Sequence, residues 1–107
     1  MVVGMCQVVL SLPGNNSLKG KRKVIRSIVD RGRSRFNAAV AEVDALDEHR
    51  KAVLGFSVVS NDHSHANAMI DQISSFIATA GDALMVGRSF ELVHFDGSSD
   101  NRGWSES

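Results

Sequence analysis

Lys19, Arg22, Lys23, Arg26 and Arg33 are spaced so that, at 100° per residue, they share one helical arc of about 100°. The segment Leu18–Arg35 that holds them carries eight basic residues and a single acid, Asp30, for a net charge of +7. The residues from Phe36 onward carry four basic residues and eleven acids, a net charge of −7, so the formally neutral chain is a basic helix on an acidic remainder. A row of cations on one exposed helix face suits phosphate. It neutralises backbone charge without reading base sequence. The bland counterpart is a solvated face whose cations pair with surface acids, at under about 1 kcal/mol per pair.

A second candidate is the junction Gly14–Arg22 (GNNSLKGKR). A helix start presents unpaired N–H groups and the positive end of the helix dipole. Ser17, Lys19, Lys21 and Arg22 could therefore surround a phosphate of RNA or of a small phosphorylated ligand. The stretch is not a nucleotide-hydrolysing loop. Five residues separate Gly14 from Gly20, and Arg22 follows Lys21 where a P-loop needs Ser or Thr.

Other reactive groups do not assemble into a centre on sequence grounds. His63 and His65 are two apart and point about 200° apart on a helix, poor geometry for one ion even with His49 or His94 nearby. Cys6 lies among apolar residues with no cation adjacent, which reads as a buried, inert thiol. Glu42, Asp44, Asp47 and Glu48 have the chemistry of general acids and bases but fall on an edge strand and its turn, where solvated acids are common. The chain is expected not to be an enzyme, and to hold no cofactor and no metal.

These residues must be positioned by a short run of regular elements. Val2–Leu12 alternates, with Cys6, Val8, Leu10 and Leu12 on one face and Val3, Met5, Gln7 and Val9 on the other, and Pro13-Gly14 end it. Ser17 caps a helix whose apolar arc is Leu18, Val24, Ile25, Ile28, Val29 and Phe36, with Gly32 near its centre, expected where the helix approaches a sheet. Asn37–Ala45 reads as an edge strand, and Lys51–Ser60 as a strongly apolar central one. Asn61 or Asp62 caps a second helix that runs to about Ala80 on the stripe Ala66, Met69, Ile70, Ile73, Phe76 and Ile77. Asp82–Phe95 reads as the last strand, with Gly87 as a bulge or bend. The order βαββαβ implies a ferredoxin-like α+β sandwich: a four-stranded antiparallel sheet with two helices on one face. Strands one and three are expected at its centre, as parallel neighbours. Residues 1–95 form this domain, and 96–107 (DGSSDNRGWSES) read as a disordered polar tail.

One sheet face is left open. Val3, Met5 and Val9, if outward, make an aliphatic patch of the kind that marks a partner or homodimer interface. Strand one has no aromatic and strand three only Phe56, so base stacking on the sheet is not expected. At 107 residues the chain has the size of one domain. No apolar run approaches the roughly 18–20 residues that span a bilayer, and one cysteine permits no intramolecular disulfide. The expectation is a cytoplasmic protein with no membrane partner.

The run Ser17-Leu18-Lys19-Gly20-Lys21-Arg22 after a Leu-Pro strand end resembles the YlxP-like proteins of bacteria, as do Phe36-Asn37, Ala41-Glu42-Val43 and Val59-Ser60-Asn61-Asp62. The resemblance covers about residues 1–95. It implies the ferredoxin-like fold, a bacterial cytoplasmic origin, no established catalytic residues and, through genes that lie among those for translation, a link to RNA or the ribosome. Members often carry a Trp-Gln pair near the start of the third strand, where this chain has Glu48-His49. The leading expectation is thus a non-enzymatic accessory protein that binds RNA or the ribosome through the first helix. The alternatives are a homodimeric interaction module using the open sheet face and a binder of a small phosphorylated ligand at the first helix start.

Overall fold

A computed structural model describes residues 1–97. The elements follow in the order β1 (Val2–Ser11), α1 (Leu18–Arg35), β2 (Ala39–Asp44), β3 (Lys51–Ser60), α2 (His63–Thr79) and β4 (Leu84–His94). They build one four-stranded sheet in the order β2-β3-β1-β4, with β1–β3, β1–β4 and β2–β3 all antiparallel. This is the ferredoxin-like βαββαβ sandwich. The expected parallel pairing of β1 and β3 is incorrect. A crossover helix makes β1 parallel to β2, but β3 lies between them and returns from β2 by a short turn, so it runs against both.

Period-two burial in β1 separates the two faces. Val2, Cys6, Val8 and Leu10 are buried beneath the helices, while Met5 and Gln7 are exposed and Val3 and Val9 half-buried on the opposite side. β3 matches it in register, Cys6 opposite Phe56 and Val8 opposite Leu54, so four apolar side chains stack across two central strands. Ile25, Ile28, Val29 and Gly32 of α1 and Ala66, Ile70, Ile73 and Ile77 of α2 close the core from one side. At about 25 cal/mol per Å² of apolar surface, burial of these side chains is the main stabilising contribution. α2 presses on β1 at Gly4, where an added Cβ would lie 2.7 Å from Ile70 Cδ1.

Both helices start as their sequences dictate. Ser17 is extended and its Oγ accepts from the Gly20 N–H at 3.0 Å. Asp62 accepts from the His65 N–H at 2.8 Å. β2 is shorter than the expected Asn37–Ala45: its pairing with β3 begins only at Ala39, and Ala45, with φ 57°, turns out of the strand after a register shift between Glu42 and Asp44. In β4 the shift falls beside Gly87, which pairs with Val9 while Met85 pairs with Leu10, leaving Val86 as the extra residue. Gly32 is buried, yet a Cβ there would stand 3.6 Å from Val40 Cγ2, an ordinary contact. The helix does not approach so closely that only glycine fits. Of the expected tail, residues 98–107 lie outside the described residues. No helix among the described residues is long and apolar enough to cross a membrane.

Candidate anion-binding face

Lys21 is the predicted site residue that the structure withdraws furthest, into the interior. Its side chain is fully buried. The ammonium donates to the carbonyl oxygens of Ala45 at 2.7 Å and Lys51 at 3.0 Å, and lies 2.8 Å from Glu42 Oε2, which has no other partner among the described residues. An ammonium has three N–H donors, and three oxygens already face this one. Phosphate would have to displace them. Lys21 sits four residues before Ile25 and seven before Ile28, the spacing of the buried stripe, so it points inward with them.

The oxygens it gathers belong to the β2–β3 connection. Ala45 holds a left-handed conformation with φ 57° and its N–H is received by Asp44 Oδ1 at 2.7 Å. Lys21 therefore pins the first turn of α1 to the strained end of β2. Glu42 and Asp44, read from sequence as generic edge acids, are used in this connection.

The junction before α1 is equally occupied. Asn15 Nδ2 donates to the carbonyls of Ser17 and His49, and Arg50 Nε donates to the Asn15 carbonyl at 3.1 Å. Asn15 Oδ1 lies where a side chain at residue 20 would begin, so Gly20 leaves room for the Asn15 side chain to fold over the helix start, and a Cβ there would make it shift. Ser17 Oγ serves as the cap. Of the four side chains expected around a phosphate here, only Lys19 and Arg22 are left to meet one.

The exposed arc survives on the outer side of α1. Lys19, Arg22, Lys23 and Arg26 are all exposed, and none has an ion pair among the described residues. They border a shallow groove along the helix together with Ser17, Gly20, Ser27 and Asp30. Asp30 belongs to this arc too, which leaves a local charge of +3. Arg33 is drawn away from the row. Its Nε donates to the Val40 carbonyl of β2 at 2.9 Å, so its guanidinium stands at the sheet edge. Arg31 and Arg35 are also spoken for: Arg31 donates to the carbonyls of Ser27 and Ala80, and Arg35 stands 5.4 Å over the Phe76 ring and 5.6 Å over that of Phe36.

The remaining candidates separate cleanly. Val3, Met5 and Val9 lie on the face away from the helices, as expected for an open aliphatic surface. Cys6 is buried with its Sγ 3.9 Å from Ser74 Oγ, and burial raises its pKa. His63 and His94, read from sequence as possible ligands with His65 or His49, do meet: Nδ1 of His63 and Nε2 of His94 are 2.8 Å apart with the rings stacked. No group of three or more metal-ligating side chains forms among the described residues.

Among solved structures, a de novo designed protein with ferredoxin fold matches the whole chain and 95% of its own, at 15% identity and a TM-score of 0.54. The C-terminal segment of the alpha subunit of aIF2 from Pyrococcus abyssi matches 89% of this chain at 12% identity and a TM-score of 0.49. This chain spans about half (51%) of that one. At such identities the likeness concerns the fold alone. No curated protein matches the sequence. A family model does match, over residues 3–88, from the first strand to the middle of the last. The chain belongs to the protein family of unknown function DUF503.

Proposed function

We propose that the outer face of α1 binds RNA, free or within the ribosome, by contacting its phosphate backbone. The observation that carries this reading is the row Lys19, Arg22, Lys23 and Arg26, exposed and without carboxylate partners among the described residues on a chain whose net charge is zero. A neutral protein with a local cationic strip is attracted to a polyanion through that strip and repelled elsewhere. Contact is through phosphates and largely independent of base sequence. The likeness of the Ser17–Arg22 junction to YlxP-like proteins, whose genes lie among those for translation, supports the same direction. The protein acts as an accessory factor and performs no chemistry on its partner.

Ribosome co-sedimentation tests this. At low salt the wild-type protein pellets with ribosomes, and at high salt it is released. The R22E/R26E double variant stays in the supernatant at both. Equal pelleting of the variant and the wild type at low salt contradicts the proposal.

A further inference from the structure

The helix side of the sheet is covered on three strands and open on the fourth. In the rung that holds Val40, Phe56, Cys6 and Phe90, the first three are buried and Phe90 is 47% exposed. α2 lies over β1 and β3 more than over β4, so the Phe90 ring stands at an open sheet edge. Arg88 flanks it on the same side of β4. Its guanidinium lies 4.9 Å from the ring centroid and 3.2 Å from Asp71 Oδ1 of α2.

The two edges of the sheet differ in how they are closed. An edge strand offers unpaired N–H and C=O groups to any strand that meets it, and folds blunt such edges with short strands, bulges and charges. β2 has all three: six residues, a register shift, and the acids Glu42 and Asp44. Arg33 Nε also takes up the Val40 carbonyl at 2.9 Å. β4 runs for eleven residues, and its one register shift, at Val86, falls near its start. Met1 and Phe95 exchange backbone bonds at 3.1 and 2.8 Å. Bonded pairs recur at every second residue, so Val93, Glu91 and Ser89 turn their backbone groups toward β1, and Arg88, Phe90 and Leu92 turn theirs outward. Among the described residues no side chain caps these outward groups.

We propose that the outer edge of β4 pairs antiparallel with β4 of a second copy, about a two-fold axis normal to the sheet at Phe90, so that two four-stranded sheets join edge to edge. With the β2 edge blunted, β4 meets β4, and the contact closes as a dimer instead of growing into a filament. Three registers bring outward groups together. Centring on Phe90 sets Phe90 opposite Phe90 and Arg88 opposite Leu92 twice, three bonded pairs with no like charges opposed. Centring on Glu91 sets the two carboxylates directly opposite in a close pair, which is destabilising. Centring on Ser89 leaves two bonded pairs and runs into the bulge at Val86. The chain's own pattern selects the first, in which each exposed Phe90 packs on the other and lies diagonal to the Arg88 of the second copy. The contact is small, below about 1,200 Å², so the dimer is reversible and concentration-dependent. α1 packs over β2, the strand furthest from β4, so the cationic strips stay exposed at the two ends of the joined sheet.

Sedimentation equilibrium of the full chain between 5 and 500 µM tests the arrangement. Wild type is expected to shift from monomer to dimer across this range. Phe90→Pro, which removes one outward donor, and Phe90→Lys, which charges the edge, each weaken association at least tenfold while circular dichroism stays that of the wild type. Oxidative cross-linking reads the register. Cα atoms of a bonded pair stand about 5.5 Å apart, within the roughly 4.4–6.8 Å that a disulfide spans, so Phe90→Cys should give a covalent dimer. In this register two Glu91 Cα atoms stand about 8 Å apart by strand rise and spacing, so Glu91→Cys should not. The native Cys6 is buried and does not compete. A wild-type protein monomeric throughout, a folded Phe90→Lys variant that associates as tightly as wild type, or cross-linking through Glu91→Cys and not Phe90→Cys overturns the proposal.

Discussion

The ammonium of Lys21 and the carbonyl oxygen of Ala45, 24 residues apart in sequence, meet at 2.7 Å inside the molecule. One cation thereby joins the helix that carries the positive strip to the connection between β2 and β3. The basic segment of the chain divides into two roles. One lysine is internal and structural, while Lys19, Arg22, Lys23 and Arg26 on the opposite arc are external and have no ion pair among the described residues.

Lys21→Met removes the charge and leaves the carbonyls of Ala45 and Lys51 and the carboxylate of Glu42 without their partner. Breaking a buried ion pair from one side costs about 3 kcal/mol or more, so the urea midpoint should fall accordingly. The K21M/E42L double variant should recover part of the loss, since no buried carboxylate is then left uncompensated. Below its melting temperature, K21M should bind RNA as wild type does, because Lys21 presents nothing to solvent.

Two glycines of α1 should respond oppositely to the same substitution. Gly32→Ala meets Val40 Cγ2 at an ordinary 3.6 Å and gains helix propensity, raising stability by about 0.5–1 kcal/mol. Gly20→Ala gains the same propensity but collides with the Asn15 side chain. It should be destabilising on balance, with thermal melts of the two variants moving in opposite directions.

Cys6 gives the fold an alkaline limit. Burial favours the neutral thiol and raises its pKa, with the Ser74 contact opposing in part. Once pH exceeds the ordinary thiol value of about 8.5, the unfolded chain has lost a proton that the folded chain keeps, so stability falls with rising pH until the folded thiol also ionises. The contribution is fully present below that value. Cys6→Ala should flatten this alkaline limb in urea titrations at pH 7 to 10. In the native protein the thiol should react with a disulfide reagent far more slowly than in urea.

The fold was legible because each element carried its own signal. Period two in Val2–Ser11, the Ser17 and Asp62 caps and the Ile70–Ile77 stripe each match the structure. The direction of β3 relative to β1 follows from connectivity and not from any local pattern, which is where the reading failed. The cationic row was legible from charge and period alone. Lys21 was not, although its place in the series with Ile25 and Ile28 was the available clue. Charge counting treats every lysine as external, and the partners that hold this one come from residues 24 and 30 positions away. The turn of Arg33 toward the Val40 carbonyl was equally hidden, since a helical wheel fixes where a side chain leaves the backbone and not where its end is held. Asp30 shares the arc of the cations by the same wheel, so its dilution of the strip was there to be read.

The salt dependence of RNA binding tests the central claim most directly. Affinity of the full chain for a mixed-sequence single-stranded oligoribonucleotide is measured by fluorescence anisotropy from 50 to 300 mM KCl. If Lys19, Arg22, Lys23 and Arg26 each neutralise one phosphate, log K falls against log salt with a slope of about −2.8. R22E/R26E should abolish measurable binding at the lowest salt, and K21M should keep the wild-type slope. Wild-type binding that is insensitive to salt, or an R22E/R26E variant with undiminished affinity, contradicts the account.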